Sequence, residues 1–319
     1  MGVGRRVAHA FLMRFRTAAL WAVAAVVTVV FGYLAVRDAH PDEVWEAIRE
    51  SNALWLIPAT ALLALGTFVR AVRWWSLFGR DTRPPLGPVT AAMLVGLALN
   101  NLVPLRAGEA ARILALARRT GVSRVEVLAT VALERAFDVF CLIVLLFLAV
   151  PWLPDVDWLR PAAALAFVIA LGLVALAVVG ERPFHALARR SERLEHAWHS
   201  VSRGLVGLRD PRIAFAGFAW TMLSWALIAL SFWAVTLSFD LGLSPASGVL
   251  VLSAVGLALI LPAAPASLGV FEAATVLALA AYDVPRSQAL SYGFVLHAVN
   301  LFPYVIAGAV ALRFTRPPR

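Results

Sequence analysis

The chain contains no lysine, so all 28 of its basic residues are arginine. A glycine-rich phosphate loop closed by lysine is therefore excluded, and ATP-driven transport by this chain alone is not expected. There is one cysteine, Cys141, inside an apolar run. No intrachain disulfide can form, and neither a metal cluster nor any other cofactor is expected. Also missing are a histidine pair at metal-binding spacing, a nucleophilic serine elbow and a ring of repeated polar groups that would filter ions. Charge is scarce: 15% of the 319 residues are charged and 61% are hydrophobic. That is more apolar surface than one water-facing core can hide, and lipid must cover the rest.

What is present is a series of apolar runs of about 20 residues, the length at which a helix crosses a hydrocarbon core. Six are read as full crossings: Thr17 to Val36, Ala53 to Val69, Leu128 to Val150, Pro161 to Val179, Ile213 to Leu237 and Ala289 to Leu312. They are continuous and rich in Ala and Leu, whereas barrel strands would alternate apolar and polar residues. The expectation is an all-α polytopic membrane protein, a single integral membrane domain over residues 1–319 with halves at about 17–150 and 161–312. Arg5, Arg6, Arg14 and Arg16 precede the first run, which is read as an uncleaved span. Arginine-rich segments mark the cytoplasmic side. Both termini and the loop 181–212 are thus expected inside, and the acidic loops at Arg37 to Asn52 and around Asp155 and Asp157 outside. The net charge of +9 fits anionic headgroups and membrane orientation, not nucleic acid.

Two further apolar regions are expected not to change sides. Val89 to Val103 breaks at Pro104, Arg106 and Gly108 and resumes as Ala110 to Ala117; Ser247 to Leu261 breaks at Pro262, Pro265 and Gly269 and resumes as Val270 to Ala281. Each is a candidate re-entrant or broken helical hairpin, one entering from the cytoplasm and one from outside, an inverted repeat. Such interruptions point to a binding site in transporter folds. The alternative is an ordinary surface loop between two short helices.

Ionisable groups at membrane depth are costly and normally face a partner or a wet cavity. Arg106, Glu109 and Arg112 follow the first break at helical spacing, and Glu134, Arg135 and Asp138 begin the next span. Glu272 follows the second break, with His297 and Asn300 in the last span. These, with Arg70, Arg73 and Asn101, are the candidate site residues. Their structural alternatives are a salt-bridge network locking two helices, polar glue between helices, and, for Arg70 and Arg73 beside Trp74 and Trp75, plain interface anchoring.

Four stretches carry a family resemblance: Arg70, Arg73 and Trp74; Asn101, Pro104, Arg106, Gly108, Glu109 and Arg112; Glu134, Arg135 and Asp138; Pro262, Pro265, Gly269, Phe271 and Glu272. In this order they resemble the membrane region of the lysylphosphatidylglycerol synthase, or flippase-like domain, family. The resemblance implies a lipid translocase fold. The family's soluble transferase half has no counterpart before Arg319, so lysylphosphatidylglycerol synthesis, and enzymatic activity generally, is not expected. The family's glycines after the second proline break are replaced here by Ala266 and Ser267.

Two further readings stay open beside a flippase or scramblase whose arginines hold lipid phosphate. One is a membrane transferase or accessory subunit acting on lipid-linked sugars, with Glu109 and Asp138 as paired carboxylates. The other is a scaffold recruiting a protein partner at loop 181–212. Membrane lipids with anionic or zwitterionic headgroups are the expected partners, and a second copy of the chain is a candidate one.

Overall fold

A computed structural model describes residues 21–79, 81–103, 107–155, 210–259 and 264–315, together with Pro161, Ala164 and Val168. Outside the described residues lie the N-terminal arginines, Pro104, Arg106, Pro262, nearly all of the expected span Pro161 to Val179, most of loop 181–212, and Arg316 and Arg319. Among the described residues all regular structure is helical. The helices are α1 (Trp21–Val36), α2 (Pro41–Glu50), α3 (Leu56–Ser76), α4 (Leu86–Leu102), α5 (Ala107–Thr120), α6 (Arg124–Ala149), α7 (Pro211–Ser238), α8 (Ala246–Ala258), α9 (Val270–Ala280) and α10 (Arg286–Ala311).

Three helical stretches, Ala53–Ser76, Pro211–Ser238 and Arg286–Phe314, are long and apolar enough to cross a membrane. A fourth crossing follows if α1 and α2, bent by 77° at their junction, count as one span. The helix α6 has the length to cross, at 26 residues, but Glu134, Arg135 and Asp138 interrupt its apolar stretch. The segment read as an external loop from Arg37 to Asn52 is instead mostly the helix α2. Pro41 starts it, Asp42 and Glu43 occupy its first turn and Arg49 its last, an arrangement that suits the helix dipole.

The centre of the bundle is the antiparallel pair α3 and α7. Small residues let their backbones approach closely, as they do in membrane bundles generally. A Cβ on Gly66 would come within 2.9 Å of the Ile228 side chain. Ser224 donates to the Gly66 carbonyl at 3.0 Å and Ser231 to the Ala59 carbonyl at 2.6 Å, two bonds that tie the pair about two helical turns apart. A second close approach joins α4 to α10, where a Cβ on Gly308 would lie 2.3 Å from that of Ala98.

The packing has a regular pattern. Among the described residues, if α3, α4, α5 and α6 are exchanged with α7, α8, α9 and α10, each main contact between these eight helices maps onto one that is present, while the packing of α2 on α10 stands outside the pattern. Contacts α4–α5 and α8–α9 are exchanged, as are α5–α6 with α9–α10 and α4–α10 with α8–α6, while α3–α7 maps onto itself. Two apolar cavities obey the same exchange. One of about 200 Å³ lies among α3, α4 and α10 beside Thr67 and Tyr304. The other, of about 430 Å³, lies among α6, α7 and α8 beside Trp152 and Ala229.

Candidate functional site

The helix α3 does not end at Val69, where its apolar run stops, but continues through Ser76 and carries Arg70 and Arg73 into the protein. Arg73 and Trp74 are both fully buried. The alternative of plain interface anchoring does not account for this burial: carboxylates from α6 meet the guanidiniums inside the bundle. Arg73 bonds Asp138, and its Nη2 lies 2.7 Å from Glu134 Oε1. Its Nη1 also reaches the Thr221 hydroxyl of α7 at 3.4 Å. Arg70 lies one turn away, 3.7 Å from Asp138 and 5.0 Å over the Trp225 ring.

The helix α5 supplies the other wall. Gly96 and Gly108 allow it to lie against α4, since a Cβ on Gly108 would fall 1.9 Å from the Gly96 carbonyl. That close approach places Arg112 with Nη1 3.1 Å from Glu134 Oε2 and Nη2 2.7 Å from Glu109, and its guanidinium 4.9 Å over Trp74. Trp74 is itself fixed by donating to the Thr130 hydroxyl at 3.1 Å. Arg135 closes the top, 2.8 Å from Glu134, 3.2 Å from Asp138 and 3.9 Å from Glu109.

Four guanidiniums thus face three carboxylates, leaving one positive charge in excess among the described residues. Exposure is graded across the group. The side chains of Arg73 and Glu134 are 0% exposed, whereas Glu109 is 26% and Arg135 39% exposed. The cluster therefore has a dry floor on α3 and an accessible mouth between α5 and α6. Several donors are unused: Nε of Arg70, of Arg73 and of Arg135 are buried without a hydrogen-bond partner among the described residues. A native protein rarely leaves such donors idle without a purpose.

The remaining candidates divide. Asn101 and Asn300 turn back on their own helices, donating to Leu97 and Leu296 carbonyls at 2.9 and 3.0 Å, so neither joins the cluster. His297 and Glu272 form a separate buried pair at 2.6 Å, with the imidazole stacked on Phe271 at 4.4 Å between centroids. Glu109 and Asp138, the carboxylates that a transferase would use, are both engaged by arginines. Thr221, Trp225, Thr130 and Tyr304 enter the site surroundings without having been read from the sequence. Each is a lone polar or amphipathic residue on an apolar helix, and only the packing identifies it.

A family model described as the lysylphosphatidylglycerol synthase TM region matches residues 21–308. No curated protein matches this sequence.

Proposed function

The chain belongs to the lysylphosphatidylglycerol synthase TM region family, and from that premise we propose that it is a lipid translocase, moving a phospholipid or lipid-linked headgroup across the cytoplasmic membrane. The observation that carries this reading is the charged cluster: buried guanidiniums in excess of carboxylates, with idle donors and one open side. Arginine's planar fork suits a phosphate oxyanion. The anion enters past Arg135 and Glu109, takes the excess positive charge and competes with the carboxylates for the inner arginines. Acyl chains stay in the bilayer, where the two apolar cavities flank the bundle.

On this reading the chain makes six full crossings, with α4–α5 and α8–α9 as two broken hairpins of an inverted repeat. The exchange pattern of helix contacts supports it. Both termini lie in the cytoplasm, α4–α5 enters from the cytoplasmic side and α8–α9 from the other, and alternating access comes from rocking one half against the other. The chain itself performs no chemistry on the lipid.

The test is reconstitution into liposomes carrying fluorescent phospholipids in both leaflets, with no nucleotide, followed by reduction of the label from outside. Exposure of inner-leaflet label by the parent chain, lost in Arg135→Gln, supports the proposal. Bleaching identical to that of empty liposomes, for anionic and zwitterionic headgroups and with a proton gradient imposed, overturns it.

A further inference from the structure

The buried pair Glu272 and His297 stands at the same helical positions as the mouth of the charged cluster. Glu109 and Glu272 each lie in the first turn of their helix as described, Arg135 and His297 are each the twelfth residue of theirs, and Asp138 and Asn300 each the fifteenth. Where the first half sets a permanently charged arginine against its carboxylate, the second sets a histidine, a side chain that can gain or lose a proton. Asn300 replaces the third charge.

Glu272 has two tasks. Its Oε1 meets His297 Nδ1 at 2.6 Å, and its Oε2 accepts the Gly269 amide at 2.7 Å. That amide ends a strained turn: Ala266, Ser267 and Gly269 have φ of 58°, 55° and 80°, a region in which only glycine is comfortable. The turn also lies against α1. Ala264 N–H donates to the Thr28 hydroxyl at 2.9 Å, and a Cβ on Gly269 would come within 2.8 Å of the Gly32 backbone.

We infer that Glu272 and His297 form a proton-binding site that latches the break of the second hairpin. With a proton added at His297 Nε2, the imidazolium and carboxylate neutralise each other, and Glu272 stays buried, its residue 2% exposed, holding the Gly269 amide. When that proton leaves, the carboxylate keeps its hydrogen bonds from Nδ1 and the Gly269 amide but its charge is no longer compensated in an apolar setting. The conformation that lets it reach water, by releasing the turn from α1, is then favoured. Acid closes the latch and alkali opens it.

The surroundings leave this response to the pair. The helices α8 and α4 bear no ionisable residue, and α1 brings only the exposed Tyr33. Arg212 sits in the first turn of α7, and Arg286, in the first turn of α10, bonds the Leu34 carbonyl. On α3, Arg70 and Arg73 engage Asp138. Also on α10, buried Tyr292 donates to the Phe232 carbonyl at 2.8 Å, and Tyr304 bonds Thr67 at 3.1 Å, about 10 Å along the helix from His297 at 1.5 Å per residue. The acidic residues of α2, Asp42, Glu43, Glu46 and Glu50, and its Arg49 lie on a helix without a buried residue.

The test uses the full chain in phospholipid nanodiscs, with Cys141→Ala and a nitroxide on Ser267→Cys, and reads label mobility by electron paramagnetic resonance between about pH 5 and 8. The immobile fraction is expected to rise severalfold as pH falls in the parent. It should be insensitive to pH in Glu272→Gln and His297→Gln, and high throughout in His297→Arg, which copies the fixed charge of Arg135. A second reading, of ¹⁵N-histidine resonances in the unlabelled chain, is expected to show His297 gaining its proton over the same interval. A parent label blind to pH, a response retained in Glu272→Gln, or a His297 that keeps one protonation state throughout overturns the site. No cargo is present in either measurement, so failure here is distinct from failure of lipid translocation.

Discussion

At the scale of single residues, the arginines of the cluster differ in what their loss removes. Arg73 has no exposure and is matched by Asp138 and Glu134. Arg73→Ala leaves two buried carboxylates short of a partner and is expected to cost about 3–5 kcal/mol, read as a lowered midpoint of thermal unfolding in detergent. Arg135, at 39% side-chain exposure, is expected to behave oppositely: Arg135→Gln leaves the midpoint within a few degrees of the parent while abolishing leaflet exchange in liposomes. If both variants lost stability equally, the graded floor and mouth described above would be wrong. The participants were legible from the sequence because charge inside an apolar run is conspicuous, and Arg112, Glu134, Arg135 and Asp138 do converge. Their pairing was not. The end of an apolar run says where hydrophobicity stops, whereas α3 continues past Val69 because its arginines are neutralised by α6. That partnership spans 65 positions between Arg73 and Asp138.

At the scale of elements, close backbone approach is carried by glycines whose replacement has a definite sign. Gly308→Val pushes α10 away from α4, where even a Cβ would come within 2.3 Å of Ala98 Cβ and 2.8 Å of the Leu94 carbonyl. The expected loss is about 1–3 kcal/mol from overpacking, checked by unfolding. Gly87→Ala, where a Cβ meets nothing, serves as the neutral control on the same helix pair. Gly108→Ala is expected to be more damaging still, since the obstruction is the Gly96 carbonyl, and it should loosen Arg112 from Glu134. Helix type and most boundaries were readable from continuous Ala-rich and Leu-rich runs. The helix α2 was missed because its charges suggested a loop. Its proline start, acidic first turn and basic last turn were the available signals. Which glycines bring helices together cannot be seen in sequence, since the demand comes from the opposing backbone.

At the scale of the whole molecule, the proposed arrangement puts the turn between α5 and α6 in the cytoplasm and the one between α9 and α10 outside. In right-side-out vesicles, with Cys141→Ala as background, an impermeant maleimide is expected to label Asp283→Cys and spare Ser123→Cys until the membrane is opened. Labelling of both from one side removes the inverted repeat. The all-α class was plain from hydropathy, and the two Pro/Gly breaks hinted at correspondence between the halves. The exchange pattern itself appears only when helices distant in sequence are packed together. The Arg73–Asp138 bond also has a consequence in time. During synthesis, at about 5–20 residues per second, α3 emerges several seconds before α6, and its two arginines must wait for their counter-charges. Until α6 arrives, the growing chain has every reason to hold α3 at the insertion machinery or against headgroups instead of releasing it to lipid. A chain cut short after α5 should be recognised as defective and degraded, even though its apolar runs are intact.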